Sequence, residues 1–368
     1  MKYILPLLFV LISGCKSTSP GRLHKLTKQG IPYQSQRSPI ALPGTSGKKI
    51  SIQYLGCGGL YITKDGDAIM IDPFFSNQKV MRLGASIFGG GGKGKRKLSS
   101  DPRMIERGIN AIENSTGKIQ PQIKAILSAH SHYDHLMDVP AIFEKLDKTP
   151  RVYVNRSGFN TVQNVINVDK MVVLENHMTT QEVSRPPIEL KTSRGKINIY
   201  PILSEHNPHF KNIKFFSGSK TTAVDYFQNP YQKTRANDWL EGNTFSFLVD
   251  YIDAAGGIEV RIFIQSSSCN PPAGIPPAHL LQNRSVDMAF LGVVSYQFSP
   301  DYPCSLLQAL KPKEVVWIHW EDFFRKYTKK PKTIRGTDVV KFFDLPCVKP
   351  YKSKALLPWP GVTLDISY

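Results

Sequence analysis

From Ile50 onward the chain is a series of short apolar runs broken by Gly, Pro, Asp and Asn. Ile50-Ser51-Ile52-Gln53-Tyr54-Leu55 alternates apolar and polar positions, the period of a strand with one buried face, and Gly56-Cys57-Gly58-Gly59 follows as a turn. Leu60 to Thr63 and Ala68 to Ile71 flank Lys64-Asp65-Gly66-Asp67, which predicts a hairpin ending at Asp72-Pro73. The same pattern predicts strands at 151–154, 171–174, 196–203, 243–249, 259–264, 286–291 and 314–318. Helical spacing is rarer. It predicts one helix from Asp101, a capping residue, to about Asn114, one over 137–146 and one over 159–166. Many strands, few helices and no internal repeat predict one sheet-rich α/β domain over residues 49–368. A Gly/Lys-rich insert over 77–100 interrupts it. Its centre, Gly89 to Lys97, removes backbone constraint and adds positive charge, so it reads either as an inert insertion or as a basic arm beside a site.

The 368 residues are 41% hydrophobic, enough for a sizeable core. The formal net charge of +18 favours anionic partners, whether phosphate-bearing substrates, acidic lipid head groups or nucleic acid, unless it serves only surface solvation. No basic stripe interleaved with aromatics is evident, which disfavours nucleic acid. The N-terminus is a separate unit. Met1-Lys2 is a positive start, Tyr3 to Ile12 is apolar but too short to span a bilayer, and Ser13-Gly14-Cys15 follows. Residues 1–14 thus resemble a bacterial lipoprotein signal peptide, which implies a lipid on Cys15, a membrane lipoprotein and a place in the bacterial cell envelope. An ordinary secretory signal with an incidental cysteine also implies export. Residues 15–48, rich in Ser, Pro, Gly and Lys, read as a tether that packs locally near Ile31 to Tyr33. Cys57, Cys269, Cys304 and Cys347 contain no C-x-x-C pair, so a cysteine zinc knuckle is not indicated and any disulfide pairing stays open.

The candidate chemistry lies at Leu127-Ser128-Ala129-His130-Ser131-His132-Tyr133-Asp134-His135-Leu136, an H-x-H-x-D-H run at the end of an apolar strand. Alternation lets His130 and His132 share a face. Asp134 and His135 fall past the strand end, free to turn toward a neighbouring position. That suits two adjacent ions better than one, and imidazole and carboxylate are ligands of zinc and other first-row metals. His206 and His319 also end predicted strands, and Asp72 ends another.

This order of motifs resembles the metallo-β-lactamase superfamily. The matching segments are Tyr54-Leu55-Gly56, Ile71-Asp72-Pro73-Phe74-Phe75-Ser76, the H-x-H-x-D-H run and Val316-Trp317-Ile318-His319-Trp320. The D-P-x-F-S and I-H-W segments look most like the branch of N-acyl-phosphatidylethanolamine-hydrolysing phospholipase D and related bacterial metal-dependent hydrolases. The resemblance implies a four-layer αββα sandwich with one or two zinc ions, or another divalent first-row metal, at a sheet edge. It implies His130, His132 and His206 around one ion, Asp134, His135 and His319 around a second, Asp72 orienting a ligand, and Asp134 and His132 as catalytic residues. His209 and the Asn243 region are candidate substrate contacts. Phe74, Phe75, Phe210, Trp239 and Trp320 read first as core residues and second as the lining of an apolar groove. The departure is at Ser267, where the family supplies a bridging Asp. A neutral hydroxyl there predicts a weakened second position, a single metal or another bridging group, with Cys269 as one substitute. The expected activity is hydrolysis of a phosphodiester or related anionic ester, plausibly a phospholipid. The alternatives are a degenerate metal- or ligand-binding envelope protein without turnover and a nuclease of the same fold.

Overall fold

The computed structural model describes residues 23–42, 47–79, 98–116, 122–209, 213–282, 284–326 and 328–368. Residues 1–14, where a signal peptide is expected, Cys15, the Gly-rich centre of the insert and Phe210 lie outside the described residues. One sheet has eight strands, in the order β1 (Ser38–Ala41), β14 (Thr363–Ser367), β2 (Lys49–Gly56), β3 (Gly59–Lys64), β4 (Asp67–Ile71), β5 (Gln122–Leu127), β6 (Arg151–Val154) and β7 (Met171–Val173). The second has six, in the order β13 (Glu314–Ile318), β12 (Met288–Gly292), β11 (Ile258–Gln265), β10 (Thr244–Asp253), β9 (Gly195–Ser204) and β8 (Ile188–Thr192). Both sheets are mixed. β14 to β4 and β8 to β11 pair antiparallel, whereas β4 to β7 and β11 to β13 pair parallel.

The alternation along each strand sets the layers. Ile52, Ile62, Ile69 and Leu127 of the first sheet meet Ile199, Phe247, Ile262 and Val316 of the second in one buried core. The intervening residues of the first sheet, Tyr61, Met70, Ile126 and Val152, face outward under helices Pro102–Thr116, Val139–Lys145 and Arg156–Val162. Leu248, Phe263, Leu291 and Trp317 do the same on the second sheet, under helices Cys304–Leu310 and Val339–Phe342. The result is the expected four-layer αββα sandwich. Direction places the site. β4 and β5 run parallel, as do β11, β12 and β13, and β9 shares their sense because two antiparallel steps separate it from β11. Their C-terminal ends form one rim.

Several boundaries move. Asp101 caps its helix as expected, Oδ1 accepting from Arg103 N at 3.0 Å. β1, β8 and β14 were not predicted, because each is short and takes its order from a neighbour. The tether reading of 15–48 gives way from Leu23: helix Leu23–Lys28 buries Leu23 and Leu26 against the second sheet, with Ile31, and β1 adds to the first sheet's edge. The ends of the insert are fixed too, since Leu98 pairs with Thr234 and Ser100 Oγ donates to Met137 O at 2.9 Å. Cys304 and Cys347 form a disulfide, and Cys57 and Cys269 are free and buried.

Leu26 is fully buried. Leu26→Ala is expected to cost about 2–5 kcal/mol in urea unfolding, the range for an apolar cavity. A tether residue would leave the midpoint unchanged.

Candidate metal centre

β5 delivers the H-x-H-x-D-H run into a loop that is pinned on every side. Asp72 N donates to Leu127 O at 2.8 Å, Ser128 N to Tyr153 O at 2.9 Å and Ser131 N to Glu241 O at 3.0 Å. Asn155 is the hub beneath it. Its Oδ1 accepts from Ser131 Oγ and from Gly158 N, and its Nδ2 donates to Glu241 O and Asn243 O at 2.7 and 2.6 Å. The chain then enters the one-turn helix Tyr133–Leu136 after extended His132. Extended, then helical, backbone is what sends the four ligand-capable side chains in two directions.

The first direction gathers His130, His132 and His206. His130 Nε2 and His132 Nδ1 lie 3.0 Å apart, and the His206 ring centre is 4.9 and 4.8 Å from theirs. His206 Nδ1 faces Asn207 O at 2.7 Å, which leaves Nε2 as the free lone pair. The second direction gathers Asp134, His135, His319 and, unexpectedly, Cys57. Cys57 Sγ is 3.4 Å from Asp134 Oδ2 and 3.7 Å from His319 Nε2, and His135 Nε2 is 3.8 Å from the same carboxylate. The ligand atoms of each group lie within 4.8 Å of one another. The groups abut, with the His130 and His135 ring centres 4.0 Å apart. In a tetrahedral site with ordinary Zn–N, Zn–O and Zn–S bonds, ligand atoms are separated by roughly 3.3–3.6 Å. Both groups therefore fit a divalent ion.

Burial first, then neighbouring imidazoles, pushes His130, His132 and His319 well below the ordinary histidine value; for His206 the largest causes are burial and His209. Neutral imidazole is the ligating form. His135 differs. Burial lowers it, but Asp72 and Asp134 outweigh burial and raise it. Asp72 Oδ2 lies 3.0 Å from His135 Nδ1, while its Oδ1 accepts from Ala129 N at 2.7 Å. Asp72 thus orients His135 so that Nε2 faces the site.

Two groups that sequence reasoning missed hold the second direction together. Tyr54 Oη donates to Glu321 Oε2 at 2.5 Å and accepts from His319 N at 2.8 Å, while Glu321 Oε1 accepts from Cys57 N at 2.7 Å. Cys57, Asp72 and His319 all sit in the left-handed region, at φ +53°, +46° and +52°. Non-glycine residues there are uncommon and gather at functional sites. Gly58 (φ +80°) has no room for a side chain, because a Cβ would come within 2.7 Å of Ser266 Cβ.

The remaining expectations divide. His209 stacks on His206 with centres 4.7 Å apart, its Nδ1 accepts from Phe215 N at 3.1 Å, and burial, then Lys214, lowers it to about 4. Asn243 is engaged elsewhere, donating to Glu175 Oε1 at 3.0 Å. Phe74, Phe75, Trp239 and Trp320 do not line a groove. All four are in the core, the indoles donating to Thr234 Oγ1 and Pro358 O. The rings at the site are instead Phe216, 5.8 Å from His132, and Phe323, 5.1 Å from His319. Ser267 follows β11, buried, its Oγ without a hydrogen-bond partner among the described residues. Cys269 is no substitute ligand, since its Sγ contacts Gln265 Nε2 and Ala273 O at 3.0 and 2.9 Å and it joins neither group.

No protein-family model and no curated protein matches the sequence. Solved structures do resemble the chain's path. Igni18, a metallo hydrolase from the hyperthermophilic archaeon Ignicoccus hospitalis, is 13% identical over 87% of this chain and 100% of its own, with a TM-score of 0.46. An isothiocyanate hydrolase from Delia radicum gut bacteria is 13% identical over 86% and 100%, with a TM-score of 0.47. CmlA, a diiron β-hydroxylase from Streptomyces venezuelae, is 13% identical over 87% and 54%, with a TM-score of 0.43.

Glu321 is buried and accepts from groups on both sides. Glu321→Gln puts an amide donor against one of two donors and is expected to lower stability by about 2–4 kcal/mol in denaturant unfolding. An unchanged midpoint would remove the clamp from the account.

Proposed function

We propose that the protein is a metal-dependent hydrolase of a phosphodiester or related anionic ester, a phospholipid being the leading candidate. The observation that carries this is the pair of abutting ligand groups, His130/His132/His206 and Cys57/Asp134/His135/His319, converging from the ends of both sheets. Zinc or another divalent first-row ion held there would polarise a carbonyl or phosphoryl oxygen and lower the pKa of water. The chain's own residues supply the rest. Asp134 offers a carboxylate to hold the attacking water and take its proton. Asp72 keeps His135 oriented, and the Phe216 and Phe323 rings restrict water on either side. Lys214, half-exposed beside His206 and His209 and 2.8 Å from Glu241, adds positive charge where an anionic group would enter.

The superfamily reading, with its phospholipase-D-like branch, rests on the sequence motifs above. So does lipid attachment at Cys15 in the bacterial envelope, which would bring a site with this chemistry to a phospholipid surface. The Cys304–Cys347 disulfide suits an exported chain. No described helix is long and apolar enough to cross a membrane. Ser267 favours one competing reading, a metal-binding envelope protein without turnover.

The test is metal content per chain together with hydrolysis of bis(p-nitrophenyl) phosphate and of phospholipid vesicles, on protein lacking residues 1–15. Bound metal with turnover is expected, and His132→Ala is expected to lose both. Turnover retained in His132→Ala would sink the mechanism, and metal without turnover on any of these substrates would favour the binding protein. Ser267→Asp is expected to strengthen the hold on a second ion, read as slower loss of that ion to a chelator.

A further inference from the structure

We propose that Cys57 is a metal ligand whose thiolate supplies the second position with the negative charge that Ser267 cannot. The inference rests on the metal-binding reading above. Its first support is distance. Sγ stands 3.4 Å from Asp134 Oδ2 and 3.7 Å from His319 Nε2, close to the roughly 3.5 Å that separates S from O or N across a tetrahedral zinc. Unlike Cys269, whose Sγ meets an amide and a backbone carbonyl, Cys57 faces two side chains that are themselves ligand-capable.

The second support is how the residue is held. Cys57 lies between Gly56 (φ +89°) and Gly58 (φ +80°), itself left-handed, with its N–H tied to the buried Glu321. The same Glu321–Tyr54 pair ties the backbone of His319. One buried carboxylate therefore positions two members of the group, brought from the ends of β2 and β13.

The third support is charge. The first group is three neutral imidazoles, and Asp134 is the only carboxylate in the second. The loop after β11 offers hydroxyls at Ser266, Ser267 and Ser268, and its thiol, Cys269, is turned to Ala273 O. Cys304 and Cys347 are joined to each other, so Cys57 is the one free thiol within a ligand group among the described residues. With a thiolate the second group carries two negative charges toward a dication. When the Sγ–metal bond forms, the thiol proton leaves to solvent. A soft sulfur ligand makes the position select zinc or cobalt over magnesium or manganese.

Co2+ binding by the full mature protein tests this. Wild type is expected to take up Co2+ with a near-ultraviolet sulfur-to-metal charge-transfer band. Cys57→Ser should abolish the band and lose about one equivalent of tightly bound ion, since the thiolate is the ligating form. Cys57→Asp should recover the ion without the band, showing that the site remains folded, and Cys269→Ser should keep both. Co2+ bound without the band in wild type, or a band that survives Cys57→Ser, would overturn the role of Cys57 while leaving the metal centre standing. No Co2+ uptake by wild type would overturn both.

Discussion

A single buried carboxylate, Glu321, ties the two sheets together at the rim where the site lies. It receives the Tyr54 hydroxyl from the end of β2 and the Cys57 amide from the turn beyond it, while Tyr54 receives the His319 amide from the end of β13. A carboxylate taken out of water is tolerated only when its oxygens are satisfied, so the arrangement is close to all-or-none. Burial raises its proton affinity, and the Tyr54 and Cys57 hydrogen bonds work against that. What the clamp holds is unfavourable by itself: two non-glycine residues in left-handed backbone, their side chains facing each other. Packed sheets on both sides keep them there.

Asp72 and Asn155 do the same work on the first sheet. Asp72 caps the start of the H-x-H-x-D-H loop through Ala129 and aims His135, and Asn155 closes the loop from below against Glu241 and Asn243. The two ligand groups that result differ in kind. One is neutral and all nitrogen. The other mixes carboxylate, imidazole and thiol. Two ions placed there would feel different fields and different softness, so unequal affinities follow from the donor sets alone. The fold tolerates many chemistries, so the proposed substrate class rests on these groups, the basic balance and the signal-like pattern of the N-terminus, with the layers themselves neutral on the point.

Much of this was legible along the chain. The alternating runs foretold the strands that carry the site, because each buries one face in the shared core. The H-x-H-x-D-H run, His206 and His319 were legible because ligands at strand ends follow from direction and length alone. Phe74, Phe75, Trp239 and Trp320 take the core reading, filling the layers behind the site, while Phe216 and Phe323, which no local pattern singled out, reach it from separate loops.

What the sequence by itself determined is a sheet-rich α/β domain and six ligand-capable side chains at or just past its strand ends, since these are set by local periodicity; the layer order and the orienting role of Asp72 came with the family resemblance. What only the tertiary structure decided is everything that needed distant segments to meet. Cys57 reads as one residue of a Gly-rich turn until Asp134 and His319 come beside it, 77 and 262 positions away. Glu321 stands out in no local pattern, and its role appears only when Tyr54 covers it from 267 positions away. Helix Leu23–Lys28 reads as tether until the outer face of the second sheet gives its leucines somewhere to go. Such contacts depend on loop closure and burial across the whole domain, and no local pattern encodes which polar group will find its partner there.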